Sequence, residues 1–212
     1  MNTRTNTFSL DRLRDGLGFQ VAALAVVMLV VSAILAALNE NTRDRIEEAE
    51  LRDTQISLAQ VLPEGYNDNN LVKDVGTLDS ADGPITIHIS RKNGEVNGAV
   101  MELADKGYGG RIAMVVGVDR KGKVLGVRVT RHKETPGLGD KIDADKGDWI
   151  HSFESRQLGD PPAEKWAVKK DGGIFDQFAG ATITPRGVVR GVKRALETYA
   201  AHQAQIVATP AK

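Results

Sequence analysis

The chain has 212 residues, 41% hydrophobic and 26% charged, which allows one good-sized domain and an additional element. Its 28 basic and 28 acidic side chains balance, so no net field draws it to nucleic acid and none is expected as a partner. With no cysteine, disulfides, thiolate catalysis and thiolate-held iron–sulfur or zinc sites are ruled out. The four histidines, His88, His132, His151 and His202, are dispersed and show no metal-ligand spacing. No metal site is expected, and if the chain carries electrons an organic cofactor is the better candidate.

Val21 to Leu38 is an apolar run of eighteen residues interrupted only by Ser32. Extended back to Gly16 it is long enough, at ~35 Å as a helix, to cross a hydrocarbon core of ~30 Å. A buried core helix would carry a polar face, and this run has none. A cleaved signal peptide would have a shorter apolar region, so an uncleaved anchor is the favoured reading. Arg4, Arg12 and Arg14 precede the run and Arg43, Arg45 and Arg52 follow it. That slight bias puts the N-terminus in the cytoplasm and the rest of the chain outside.

After the anchor, Ile46, Ala49, Ile56, Ala59 and Leu62 form a helical stripe that Asn41 or Thr42 can cap and Pro63-Glu-Gly65 ends. A β-rich stretch follows. Ile85–Ile89 alternates and meets the turn signal Lys92-Asn-Gly94; Val96–Leu103, Arg111–Val118 and Lys123–Thr130 are further strand candidates. Hairpin spacings of this kind argue for an antiparallel sheet. Gly147–Ser155 reads as a short helix. Thr184 is the expected N-cap of a last helix with Pro185 at its first position, and Val188, Val189, Val192, Leu196 and Tyr199 form its apolar face. The expected fold class is α+β: one N-terminal transmembrane helix, then an antiparallel-sheet domain with flanking helices. The expected segments are a cytoplasmic stretch 1–15, the span 16–38, a juxtamembrane helix 39–65, an extracytoplasmic domain 66–205 and a tail 206–212.

One stretch carries chemistry: Asp176-Gln-Phe-Ala-Gly-Ala-Thr182-Ile-Thr184-Pro185. Gly180 and Ala181 let the backbone approach a bulky partner, and the Thr182 hydroxyl sits just ahead of a helix start, where a phosphate is well placed. Physically the same residues also read as a tight turn leading into a capped helix. His132-Lys-Glu134-Thr135-Pro136-Gly137-Leu138-Gly139 is either an ordinary Pro-Gly turn or a stiff loop that brings backbone against a flat ring. Tyr108, among glycines in Lys106-Gly-Tyr-Gly-Gly110, can stack on a ring or fill a turn. Lys141 reads better as a solvated lysine than as a phosphate partner.

These stretches resemble the FMN-binding domain family. Asp176, Gly180, Ala181 and Thr182 match its flavinylation motif D-x-x-(S/T)-G-A-T, with Ala179 departing from the usual hydroxyl residue. Glu134–Gly139 looks like its E-T-P-G-L-G loop, and Lys106–Gly110 resembles its glycine-rich segment. The order of the three, the anchor and the wording FDQFAGATITP resemble the G subunits of the Rnf (or Rsx) electron transport complexes. The resemblance implies FMN joined through its phosphate to Thr182 by a dedicated flavin transferase that recognises Asp176. It further implies cofactor contacts from Gly180, Ala181, Glu134, Thr135, Pro136, Gly137, Leu138, Gly139 and Tyr108, with no catalytic residue proper. Implied partners are the other membrane subunits of such a complex, one also carrying covalent FMN, together with the lipid bilayer of a bacterial inner membrane and a periplasmic location for the domain. The whole complex would move electrons between NADH and ferredoxin, coupled to sodium or proton movement. The alternatives are the C subunit of a sodium-translocating NADH:quinone reductase and a membrane-tethered flavin sensor.

Overall fold

A computed structural model describes residues 17–80 and 82–210. The expected cytoplasmic segment 1–15 with its three arginines, Gly16 and the last two residues of the tail lie outside the described residues. The chain divides into two units, Met1–Glu50 and Leu51–Lys212.

Helix α1, Leu17–Ala59, covers both the expected span and most of the expected juxtamembrane helix without a break. Within it, Gly18–Glu40 has a mean hydropathy of 2.9 and none of it is buried, so this stretch of 23 residues is long and apolar enough to cross a membrane. Because the helix is continuous, the cap expected near Thr42 does not exist. Thr42 Oγ1 instead donates to the Leu38 carbonyl one turn back, at 2.8 Å.

In the second unit, five strands form one antiparallel sheet in chain order: β1 Val75–Leu78, β2 Ile85–Lys92, β3 Glu95–Lys106, β4 Arg111–Asp119 and β5 Val124–Arg131. The last four are the predicted strands, β2 to β4 lengthened and β5 shifted by one residue. β1 was not anticipated, since VGTL is too short to show alternation. Asn93 and Gly94 both have positive φ, as a two-residue hairpin turn between right-twisted strands demands.

Side-chain alternation divides the sheet between two cores. Ala99, Met101 and Leu103 of β3, with Ile112, Met114, Val116 and Val118 of β4, face the larger core. Helix α2, Ile183–Val207, closes that face with the predicted stripe Val188, Val189, Val192, Leu196 and Tyr199, all buried. Each such side chain contributes on the order of 1.5–3 kcal/mol by leaving water. On the other face, Val100 and Val115 meet Leu58, Val61 and Leu62, the residues at and just beyond the end of α1. The cross-strand pair Gly117 and Gly126 forms a notch there. A Cβ on Gly117 would lie 2.4 Å from the Val61 carbonyl oxygen, so only glycine admits that backbone.

Between β5 and α2 the chain makes short 3-10 turns, including Asp148–Phe153 where a short helix was predicted. An aromatic cluster fills this region: Phe153 stacks on Phe175 at 4.5 Å, and Trp149 meets Phe153 and Phe178 edge-on. Trp149 Nε1 also donates to the Asp176 carbonyl at 2.8 Å. The cluster thereby holds the strand of residues leading into Gly180 against the sheet domain.

Candidate functional site

The start of α2 differs from the sequence expectation. The helix begins at Ile183 with Thr182 in the N-cap position, so Thr184 is its second residue and not the cap. Pro185 stands third. A proline is tolerated there because the first-turn N–H groups have no partner within the helix, so one can be missing. Thr184 is fully buried, and its hydroxyl donates to Glu134 Oε2 instead of accepting a backbone N–H as a cap would.

Thr182 makes no side-chain cap hydrogen bond. Its hydroxyl stands at the positive end of a 25-residue helix with no acidic residue in the first turn. Gly180, two residues earlier, has φ +79°, a left-handed conformation that turns the chain sharply into the helix.

A cavity of about 300 Å³ opens here, lined by Tyr108, Glu134, Thr135, Leu138, Gly139, Gly180, Ala181, Thr182, Ile183 and Thr184. It brings together eight of the ten residues expected to contact a cofactor: Thr182, Gly180, Ala181, Glu134, Thr135, Leu138, Gly139 and Tyr108. Pro136 and Gly137 are exposed in the same loop without lining the cavity. Asp176 lies on the surface, where it pairs with Lys169 at 2.5 Å. Lys141 is exposed in the turn Asp140–Ile142.

Glu134 joins the three segments. Its carboxylate is 5% exposed and accepts the N–H of Gly109 at 2.9 Å, the N–H of Tyr108 at 3.4 Å and the Thr184 hydroxyl. The glycines around it are required by proximity. A Cβ on Gly139 would lie 2.8 Å from Glu134 Cβ and 3.0 Å from Thr184 Oγ1; one on Gly109 would lie 1.9 Å from the Lys133 carbonyl oxygen. The loop itself closes through the N–H groups of Leu138 and Gly139, both donating to the Thr135 carbonyl. The Glu134 N–H donates to His132 Nδ1 at 3.0 Å, which leaves the proton on Nε2, facing Asp143 Oδ2 at 3.1 Å. Sequence reading missed Ile183 as a lining residue and the His132–Asp143 support. It also missed that Thr184 ties to Glu134, fifty residues away.

The cavity suits a flat, partly apolar group with an anionic end. Tyr108, Leu138 and Ile183 are 76%, 43% and 44% exposed around it and offer apolar surface. The free N–H groups at the helix start and the uncommitted Thr182 hydroxyl offer the polar end. Beside the helix start, the Arg186 guanidinium holds the Asp171 carboxyl below the usual carboxylate range through paired hydrogen bonds. The residues present therefore fit an FMN.

Comparison with known proteins agrees with this reading. The FMN-binding domain family matches residues 107–197, which include every residue lining the cavity. The chain is 44% identical over 192 residues to the G subunit of the ion-translocating oxidoreductase complex of Stutzerimonas stutzeri, covering 90% of this chain and 84% of that one. With the corresponding protein of Pseudomonas aeruginosa PAO1 it shares 43% identity over 191 residues, covering 87% and 89%. Among solved structures, NqrC of Shewanella oneidensis shares the fold at a TM-score of 0.56 and 18% identity, over 76% of this chain and all of that one. The chain belongs to the family of G subunits of ion-translocating oxidoreductase complexes and carries the FMN-binding domain of that family.

Proposed function

We propose that this protein is an electron-carrying subunit of a membrane-bound, ion-translocating oxidoreductase complex, and that its FMN is esterified through the phosphate to Thr182. The observation that carries the attachment point is the state of Thr182: it lines the cavity at the start of α2, and its hydroxyl caps nothing. When bound, FMN supplies one- or two-electron transfer.

The chain's own residues hold and orient it. The Thr182 oxygen forms the phosphoester, and the first-turn N–H groups of α2 receive the phosphate charge. Tyr108, Leu138 and Ile183 would border the ring, and Glu134 fixes the two loops that line the cavity. Asp176, exposed and apart from the cavity, is the residue presented to a flavin transferase during maturation. Gly18–Glu40 anchors the protein in a bacterial inner membrane, with the N-terminus cytoplasmic and the FMN domain periplasmic. Its partners there are the other subunits of the complex, one of which also carries covalent FMN. The C-subunit alternative has only a shared fold at 18% identity in its favour, against 44% identity to G subunits.

The test is expression of the full chain with a flavin transferase, followed by in-gel fluorescence after denaturation and intact mass. Fluorescence that survives denaturation, with a gain of one FMN less water, is expected in the wild type and lost in Thr182→Val. The Thr182 hydroxyl makes no cap hydrogen bond, so its removal orphans no partner and the fold persists. A folded Thr182→Val protein that still carries covalent flavin would overturn the assignment.

A further inference from the structure

Glu134 stands in the cavity wall as a buried acidic group whose contacts are all donors. Two backbone N–H groups and the Thr184 hydroxyl converge on it, and among the described residues no Lys or Arg pairs with it. Three donors and no acceptor suit the ionised carboxylate, which can only accept. Gly107 and Gly139 add to this: a Cβ on either would lie 2.5 Å from Glu134 Oε1 and 3.1 Å from Oε2 respectively, so the chain leaves room for these oxygens and nothing else. A neutral side chain could tie the same loops together. What the carboxylate adds is a fixed negative charge on the wall of the cavity, buried and paired with no Lys or Arg among the described residues.

We infer that Glu134 sets the redox potential of the cofactor held in that cavity, lowering it electrostatically, in addition to positioning the loops. This rests on the cofactor reading above. Each electron taken up adds one negative charge to the cofactor unless a proton follows it, and a nearby fixed anion opposes that change in a poorly screened site. Thr184 moderates the effect, because its hydroxyl dipole points at the carboxylate and partly offsets its charge. The two residues therefore act with opposite sign on one quantity.

Glu134→Gln is the informative change. The amide is isosteric, its oxygen can still accept the Gly109 N–H, and its NH2 can donate to the Thr184 hydroxyl, which accepts as well as donates. The Gly109 and Thr184 hydrogen bonds persist, the long Tyr108 contact at 3.4 Å is given up, and the charge is gone. The experiment is a spectroelectrochemical titration of the detergent-purified, flavinylated full chain, with dithionite as electron donor and mediator dyes. Glu134→Gln is expected to raise the reduced-to-oxidised ratio at a fixed solution potential about tenfold, a positive shift of ~30 mV for a two-electron couple. Thr184→Val, which keeps the charge and removes its partner, is expected to shift the potential the other way. It also keeps the test open if Glu134→Gln fails to fold. A Glu134→Gln potential that stays put or falls, or a Thr184→Val potential that stays put or rises, would overturn the inference. Absence of covalent flavin from the wild-type chain would overturn the cofactor reading instead, and is seen before any titration begins.

Discussion

The Thr184 hydroxyl donates to Glu134, and this one bond ties the first turn of α2 to the loop that follows β5. Both residues are buried, and both line the cavity beside Thr182. Thr184→Val keeps the shape and removes the donor, leaving Glu134 Oε2 with only the N–H of Tyr108 at 3.4 Å. A buried acceptor that loses its partner costs about 1–3 kcal/mol, more when charged. The expected result is a loss of that size in urea denaturation of the flavin-free full chain, with covalent flavin still attached at Thr182 when the transferase is supplied. Unchanged stability would mean that the bond contributes nothing.

Two glycines at the site are required for different reasons, and alanine should separate them. At Gly139 the added Cβ meets Glu134 Cβ at 2.8 Å and Thr184 Oγ1 at 3.0 Å. Overpacking of this kind costs about 1–3 kcal/mol and displaces the clamp itself. At Gly180 there is room, the nearest atom being Leu138 Cδ2 at 3.7 Å, but φ is +79°. The penalty there is backbone strain of about 1–2 kcal/mol. Both variants should lower stability, and Gly139→Ala should also lower flavin loading, read as the ratio of in-gel fluorescence to protein stain. Equal loading in the two would show that the clamp does not shape the cavity.

Asp176 offers a contrast, because its side chain supports nothing internal. Its pair with Lys169 joins two largely exposed groups, which contributes at most about 1 kcal/mol. Asp176→Asn should therefore leave thermal stability nearly unchanged while slowing flavin transfer in a timed reaction with the transferase. Lys169→Ala, which breaks the same pair from the other side, should not slow it. Equal slowing in both variants would assign the effect to the ion pair and not to recognition of Asp176.

The sheet and the closing helix were readable because turn signals bound the apolar runs of β2 to β5, whose two faces are both covered, and the stripe from Val188 to Tyr199 reports one buried helix face. The cavity was readable in part because its glycines and Thr182 lie in two short stretches that a fold must bring close to something. Thr184 was misread because a threonine before a proline looks like a cap. Nothing local reveals that Thr182 holds the N-cap position, or that a glutamate fifty residues away needs a donor. The notch at Gly117 and Gly126 was invisible for the same reason: glycine in a strand does not say which backbone it admits, and here it is Val61. β1 escaped because four residues are too few for a period to show.

Tyr199 carries a prediction about alkaline stability. Its ring closes the larger core, and its hydroxyl is buried without a hydrogen-bond partner among the described residues. Burial, reinforced by the nearby negative charge of Asp119, pushes the phenol up from 10.0 to about 12. Burial pushes Tyr66 in the same direction. The folded state thus keeps the Tyr199 proton to a higher pH than the unfolded chain does. The resulting stabilisation is complete below the unfolded value of 10.0 and is lost as pH rises toward about 12. Over that window wild-type stability should fall by roughly 2 kcal/mol from this group. Tyr199→Phe removes both the orphaned hydroxyl and the titration. It should be neutral or slightly stabilising near pH 7, because no bond is lost, and its advantage over wild type should grow steadily above pH ~10. Urea midpoints of the two flavin-free chains, measured across that range, test this. Parallel curves would mean that the Tyr199 phenol does not titrate differently in the folded and unfolded states.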